Sequence, residues 1–314
     1  MKIVVTGGLG HIGSRLVREL PRLIEAAEIL IVDNLSTQRY GSLFDLPGVG
    51  GYRFIEGDVT NMDLRESFTG ADAVVHLAAL TDAVASFEHP EAMERVNFAA
   101  TKHVAEMCVQ IGVPMIHVSS TSVYGTLKTV IDENCGPEDI APQSPYADCK
   151  RREELLVETM CRTGGLKAIT LRFGTIFGTS PGMRFHTAVN RFCWQAVMGK
   201  PLTVWKTAYD QRRPYLELGD AVRAVAFAVQ GKLFDGNIYN AVTVNATVRE
   251  VTDAIRLHLP DLTIDFVDSR IMNTLSYEVL NKRLSASGFE MHGSMRGGIA
   301  DTVKLLKNAN SRGA

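Results

Sequence analysis

The 314-residue chain shows no excess of positive charge: 33 lysines and arginines face 35 aspartates and glutamates, a formal net charge of −2. A protein that holds nucleic acid through a basic surface depends on neutralising phosphates, and this balance excludes that class. No apolar run approaches the roughly 20 residues that span a bilayer, so no membrane partner is expected. The start, Met1 to Val5, passes directly into glycines, without the longer apolar region and small-residue cleavage site of a signal peptide. The five cysteines are odd in number, and none forms a C-x-x-C pair. They read as reduced thiols of a cytoplasmic protein, not as a disulfide frame or zinc site. The eight histidines include no H-E-x-x-H, and no metal is expected. There is no internal repeat and no low-complexity linker.

What remains is ordinary globular material, 46% hydrophobic and 22% charged. The length exceeds what one core usually spans, which implies a large domain with an appended lobe, or two domains. Short β-branched runs alternate with helical patterns through the first half. Ile3–Val5, Ile29–Val32, Tyr52–Ile55, Ala73–Leu77, Pro114–Val118 and Ala168–Leu171 read as strands. His11–Leu20 and Glu91–Ile111 carry helical apolar spacing, the latter through Met93, Val96, Ala100, Val104 and Met107. Strands separated by helices of this length predict parallel βαβ units in a doubly wound sheet, an α/β fold. After Phe177 the alternation becomes irregular. Helical patterns over 188–198, 221–229, 248–257 and 277–284 mix with short strands, predicting a lobe interleaved with the first domain.

Three constellations carry chemistry. Gly7, Gly10 and Gly13 form G-x-x-G-x-x-G between the first strand and the first helix. Glycines there permit a tight turn, let backbone N–H groups approach a pyrophosphate, and open the positive end of a helix to it. Asp33 closes the second strand about 20 residues later, where a carboxylate accepts both hydroxyls of an adenosine ribose and repels a 2′-phosphate, favouring NAD over NADP. Its other reading is a turn residue before Asn34. Gly57-Asp58-Val59 after the third strand fits either an adenine contact or a plain turn. The second constellation is Ser144-Pro145-Tyr146-Ala147-Asp148-Cys149-Lys150. Ser144 suits a helix N-cap and Pro145 the first helical position. Tyr146 and Lys150 then share one helix face, and an ammonium beside a phenol favours the phenolate. The third is Ser119-Ser120-Thr121-Ser122, hydroxyls at the carboxyl end of a parallel strand, where open α/β sheets bind ligands.

Together with His76-Leu77-Ala78-Ala79, Val96-Asn97-Phe98, Leu171-Arg172-Phe173, and Arg213 with Asp220, this ordered set resembles the extended short-chain dehydrogenase/reductase family, in particular its nucleotide-sugar epimerases and dehydratases. The resemblance runs from Lys2 to about Val229 and more weakly beyond. It implies a Rossmann domain over 1–177 and 202–232, and a smaller α/β substrate lobe over 178–201 and 233–314. It implies NAD as cofactor, with Gly7, Gly10, His11, Ile12 and Gly13 around the pyrophosphate, Asp33 and Asn34 at the ribose, and Asp58 and Val59 at the adenine. Leu77, Ala78 and Ala79 would line the path to the nicotinamide, and Lys150 would hold the nicotinamide ribose. Tyr146 would be the base, assisted by Ser120. Substrate contacts would come from Ser120, Thr121, Tyr146, Thr175 and Arg213, with Arg270 a further diphosphate candidate. His11 reads as a helix-start residue near phosphate and His76 as a satisfied core histidine.

Dehydratases of the group carry Asp-Glu directly after the catalytic Thr or Ser, and decarboxylases a Glu. Here Thr121 and Ser122 stand in those places. By elimination the resemblance implies an epimerase acting on a nucleotide-linked sugar, with a reductase, dehydrogenase or dehydratase as the alternative and a non-enzymatic NAD sensor behind them. A homodimer through the helices 91–111 and 146–160 is expected. The usual Asn is replaced by Thr175, and the segment 204–213, with Trp205, Lys206 and Tyr209, lacks the usual glycine-rich turn.

Overall fold

The computed structural model describes residues 1–125, 127–268 and 276–309. In β1 (Lys2–Thr6), Ile3 and Val5 enter one buried cluster and Val4 another. β2 (Glu28–Asp33) repeats the alternation, with Ile29 and Ile31 on one side and Leu30 and Val32 on the other. A strand buried on both faces must be apolar throughout, which is why these runs are continuous and not alternating. Each such side chain taken out of water contributes about 1.5–3 kcal/mol.

Between them lies α1 (His11–Leu23), and β3 (Gly51–Glu56) follows. Next come α2 (Arg65–Phe68), β4 (Ala73–His76), α3 (Pro90–Ala92) and α4 (Ala99–Ile111). β5 (Met115–Ser120), β6 (Val130–Ile131), α5 (Pro145–Thr163) and β7 (Ala168–Phe173) complete this half. The later elements are β8 (Thr175–Phe177), α6 (Ala188–Val197), β9 (Leu202–Trp205), β10 (Arg212–Glu217), α7 (Leu218–Gln230) and β11 (Ile238–Ala241). They are followed by β12 (Val244–Thr247), α8 (Val248–Arg256), β13 (Ile264–Val267), β14 (Glu278–Val279), α9 (Lys282–Ala286) and α10 (Met295–Leu306).

Seven parallel strands form the main sheet in the order β3-β2-β1-β4-β5-β7-β11. Leu16, Val17 and Leu20 of α1 and Val222 and Val225 of α7 cover one face; Val104 and Met107 of α4 and Val157 of α5 cover the other. The chain steps outward from β1 to β3 and returns to β4. The loops after β1 and β4 therefore diverge, and a crevice opens at the carboxyl ends of these two strands.

The smaller lobe holds β12-β10-β8 as one sheet and β13 with β9 as a pair, around Phe177, Val189, Phe192, Val251 and Ile255. A further short pair joins β14 to β6. Phe177 meets Tyr215 edge to face at 6.4 Å between ring centroids. The six expected strands are present and parallel.

Three expectations change. β11, from the stretch assigned to the lobe, is the edge strand of the main sheet, paired Ile238 to Thr170 through Ala241 to Phe173. Conversely, within 202–232 α7 packs on the main sheet, while β9 and β10 pair into the lobe sheets. The helix expected over 277–284 is instead β14 followed by α9, because Val279 pairs with Ile131 and Asn245 Oδ1 accepts its N–H at 2.9 Å. Among the described residues no helix is long and apolar enough to cross a membrane.

Candidate functional site

A cavity of about 430 Å³ fills the crevice between β1 and β4 and runs to the start of α5. That volume lies within the range of small-molecule sites. Its floor is the glycine turn. Gly7 adopts φ +67°, and a Cβ there would stand 2.6 Å from the backbone N of Ala78. A Cβ on Gly13 would stand 2.5 Å from the carbonyl oxygen of Gly7. Only glycine fits these two places. Gly10 is the N-cap of α1 and no side chain caps the helix, so its first N–H groups face the cavity with the positive end of the helix dipole. The chemistry of this cradle suits a pyrophosphate.

At one end Asp33 accepts N–H groups from Leu9 (3.1 Å) and Leu35 (3.0 Å). Two oxygens thus positioned by backbone line the cavity where β2 ends. Asp58 accepts from Thr60 N, Thr60 Oγ1 and Asn34 Nδ2. Partial burial opposes its charge, but the hydrogen bonds from Thr60 and Asn34 outweigh burial and hold the carboxyl below its ordinary value. Val59 closes this end, its side chain in the core beneath.

The loop after β4 carries Leu77, Ala78 and Ala79 along the cavity wall. Asn97 fixes it from across: its Oδ1 accepts Leu80 N at 2.7 Å and its Nδ2 donates to Leu80 O at 2.8 Å. Asn97 sits in a π-helical turn, Met93–Phe98, that interrupts the long expected helix. Such insertions occur at functional sites because they re-aim a side chain. His76 is buried and bonded to Thr6 Oγ1 at 2.8 Å; burial first, then the nearby Lys150 and His117, lower it to about 3. It is a neutral structural histidine.

The other end is built by β5 and α5. Ser144 caps α5 through Ala147 N at 3.1 Å, and Pro145 takes the first helical position. This places Tyr146 and Lys150 on the cavity side, with Ser120 and Ser122 opposite. Ser122 donates to Ser120 Oγ through both its N–H (3.1 Å) and its hydroxyl (2.9 Å). The Ser120 hydroxyl, already accepting twice, has its own proton left to donate, and it bonds to Tyr146. Burial pushes the Tyr146 phenol up; Lys150 and the Ser120 hydrogen bond pull against it. Lys150 Nζ donates to Val118 O (3.0 Å) and Glu153 Oε2 (2.8 Å).

His11 also lines the cavity, with its Nδ1 2.7 Å from Ser180 Oγ. Burial, then Arg39, His186 and Arg184, lower it to about 3, so it offers a neutral ring beside the turn. Ile12 and Asn34 line the cavity as well, as does Thr175 in place of an Asn. Two expected substrate contacts do not. Thr121 is buried, donates to Phe173 O at 3.4 Å, and its carbonyl accepts Tyr277 Oη at 3.1 Å. Arg213 lies on β10, half-buried and hydrogen-bonded to Tyr277, outside the cavity lining. Arg270 lies outside the described residues. Trp205, Lys206 and Tyr209 do not line the cavity; Tyr209 packs on Phe266 and under Arg249.

Residues that sequence reasoning missed come from loops. Arg39, Asp82, Arg184 and His186 all line the cavity, and Arg184 donates to Thr81 Oγ1. Glu153 is the other omission, and its i, i+3 spacing from Lys150 was a usable signal.

A model of the NAD dependent epimerase/dehydratase family matches residues 3–241. A trifunctional UDP-glucose 4,6-dehydratase/UDP-4-keto-6-deoxy-D-glucose 3,5-epimerase/UDP-4-keto-L-rhamnose-reductase from Arabidopsis thaliana is 26% identical, over 96% of this chain but 46% of its own length. The chain thus spans about half the length of that relative. A UDP-glucuronate 4-epimerase from Thermodesulfobacterium geofontis is 26% identical over 88% of this chain and 90% of its own. Among solved structures, DesIV, a dTDP-glucose 4,6-dehydratase from Streptomyces venezuelae with NAD bound, is similar with a TM-score of 0.86 at 26% identity, covering 98% of this chain and 97% of that one.

Proposed function

The chain belongs to the NAD dependent epimerase/dehydratase family, and from that premise we propose that it is a nucleotide-sugar epimerase acting at a ring carbinol, C4 in the simplest case. The glycine cradle, the uncapped start of α1 and Asp33 fit NAD. Bound there, NAD would supply the acceptor for the hydride of the sugar carbon and its donor on return.

The chain's own residues do the rest. The Tyr146 phenolate takes the proton of the sugar hydroxyl, and the same phenol gives it back when hydride returns. Ser120 turns its one O–H from the Tyr146 oxygen to the sugar oxygen and so holds it beside the phenol. Lys150, with one N–H beyond its two protein bonds, steadies the nicotinamide ribose and favours the phenolate.

One observation carries the choice of epimerase. Elimination of water needs an acid/base pair next to Tyr146, and the two positions that would supply it are Thr121 and Ser122. The first is turned away to Phe173 O and the second is bonded to Ser120. Among the described residues the carboxylates lining the cavity are Asp33, Asp58 and Asp82. The first two serve the adenine end, and Asp82 Oδ1 already accepts from Val84 N and Ala85 N at 3.0 Å.

The test is incubation of the purified protein with UDP- and dTDP-hexoses and hexuronates, without added cofactor, in deuterated water. Inversion at one carbon with no deuterium at C5 supports the proposal. A 4-keto-6-deoxy product, or a strict need for added NADPH, refutes it. Tyr146→Phe should lower kcat by about 10²–10⁴ while NAD stays bound. We also expect a homodimer through α4 and α5. On α5 Leu155 is exposed, and Arg152 pairs with Glu94 of the π-helical turn before α4, with Phe98 beneath the guanidinium; sedimentation would read the oligomeric state.

A further inference from the structure

Lys150 is the cation on which the proton step depends, and it does not stand alone. Its ammonium touches the Glu153 carboxylate at 2.8 Å, and the Glu153 side chain has no exposure to solvent. The same oxygen lies 3.1 Å from His117 Nε2, while Cys149 Sγ donates to the other oxygen at 3.4 Å. His117 is tied in turn to Thr170 Oγ1 at 3.2 Å. Burial alone would push the Glu153 carboxyl up. The Lys150 ammonium and the His117 ring outweigh it and hold the carboxyl well below the usual range. The group beneath the ammonium is therefore a carboxylate.

This pairing has two consequences. It fixes Nζ between Val118 O and Glu153, so the third N–H has one direction left, toward the cavity. It also makes the lysine part of a formally neutral pair, which weakens its pull on the phenol one turn earlier. We infer that Glu153 is a positioning residue that acts through Lys150 to set how readily Tyr146 yields its proton. The inference rests on the epimerase reading in one respect. An epimerase must withdraw a proton and return it at the same oxygen, so a phenol of weak acidity, closer to a sugar hydroxyl, serves both half-reactions better than a permanent phenolate.

The charged and titratable groups facing this pair come from four elements. α5 itself supplies Cys149 and Glu153; β5 supplies His117 and the hydroxyl of Ser120; β4 supplies the neutral His76; and the lobe segment before α6 supplies Arg184. Of these, Glu153 is the anion in contact with Lys150, so its charge is the one to remove.

The test reads the phenol without turnover. The NAD-loaded protein is titrated at the phenolate absorbance band against its Tyr146→Phe counterpart, which isolates Tyr146 from the other tyrosines. In Glu153→Gln the midpoint should fall by about one pH unit or more, a tenfold rise in phenolate on the acid side. Glu153→Asp keeps the charge but retracts it by a methylene, and should move the midpoint the same way by less. Where turnover is measurable, the acid limb of kcat should move with the midpoint while KM changes little. A midpoint unmoved or raised, in whichever variant folds and retains NAD, overturns the inference. Because the titration involves no sugar, failure of the epimerase reading would show in the products and leave this result standing by itself.

Discussion

Arg172 and Glu154 form an ion pair enclosed in the main domain, and replacing Arg172 tests how much of the site is held by structure alone. The guanidinium donates from Nε and Nη2 to the two carboxylate oxygens, each at 2.7 Å. Side-chain exposure is 4% for Arg172 and 0% for Glu154. Ser119 donates to the same carboxylate at 2.6 Å and Arg151 at 3.1 Å. The guanidinium lies 4.7 Å over the Tyr124 ring. The variant Arg172→Met removes the main partner and leaves a buried carboxylate with Ser119 and Arg151. Removing one member of such a pair costs about 3–5 kcal/mol, with the ring contact accounting for about 0.5–1 of it. A loss of about 4 kcal/mol changes the folded-to-unfolded ratio nearly a thousandfold, against a total stability of about 5–15 kcal/mol. The double variant Arg172→Met/Glu154→Met removes the stranded charge and should recover most of the loss. Neither residue lines the cavity, so the double variant should keep NAD and turnover within a few-fold of the parent.

The pH dependence follows from the sign of the Glu154 shift. Burial pushes its carboxyl up, but Arg172, Ser119 and Arg151 outweigh burial and hold it below the ordinary value. A depressed carboxyl contributes stability that is present above the unfolded pKa, about 4.3, and is lost as pH falls through the folded value. The gap between parent and Arg172→Met should therefore be widest near neutrality and narrow as the pH drops below about 4. Urea unfolding at several pH values measures this. A single-variant loss under about 1 kcal/mol, or a double variant as unstable as the single, would refute the reasoning.

Two other outcomes are expected. Gly7→Ala combines a left-handed backbone with a Cβ 2.6 Å from Ala78 N. It should cost about 1–2 kcal/mol for the backbone and about 1–3 more for displacing the β4 loop, with NAD affinity falling alongside in calorimetry; wild-type affinity would show that the turn tolerates a side chain. Asp33→Ser removes the carboxylate beside Arg39. It should narrow the preference for NAD over NADP by roughly 10–100-fold, the scale of lost charged hydrogen bonds, read by equilibrium binding of both cofactors; an unchanged ratio means that other groups discriminate.

Much of this was legible in the sequence because it is encoded locally. The continuous apolar runs of β1 and β2 could only be strands buried on both faces. Ser144 and Pro145 mark a helix start by chemistry that acts within one turn, and that alone puts Tyr146 and Lys150 on one face. Where expectations failed, a distant partner had decided the outcome. The 277–284 stretch is apolar enough for a helix, but Val130–Ile131 offered its edge and the chain became a strand first. Ile238–Ala241 is four residues long, too short to show its place until β7 accepted it as the last strand of the main sheet. Thr121 and Arg213 share short motifs with residues that face the cavity, yet Thr121 is bonded to Phe173 O and Arg213 lies on β10, outside the cavity lining.

The sequence by itself therefore determined the βαβ order, the glycine turn and the placement of Tyr146 and Lys150 on one helix face, since turn geometry, capping and helical periodicity involve residues only a few positions apart. The tertiary structure decided what surrounds that pair. Arg184 and His186 reach the cavity from the lobe, Asp82 from the loop after β4 and Arg39 from the loop after β2. His117, from β5, meets Glu153 beneath Lys150 across 36 positions of chain. Electrostatics acts over ångströms of space and not over positions in a sequence, so the acidity of Tyr146 and the shape of the substrate end were settled only when the sheet and the lobe closed around them.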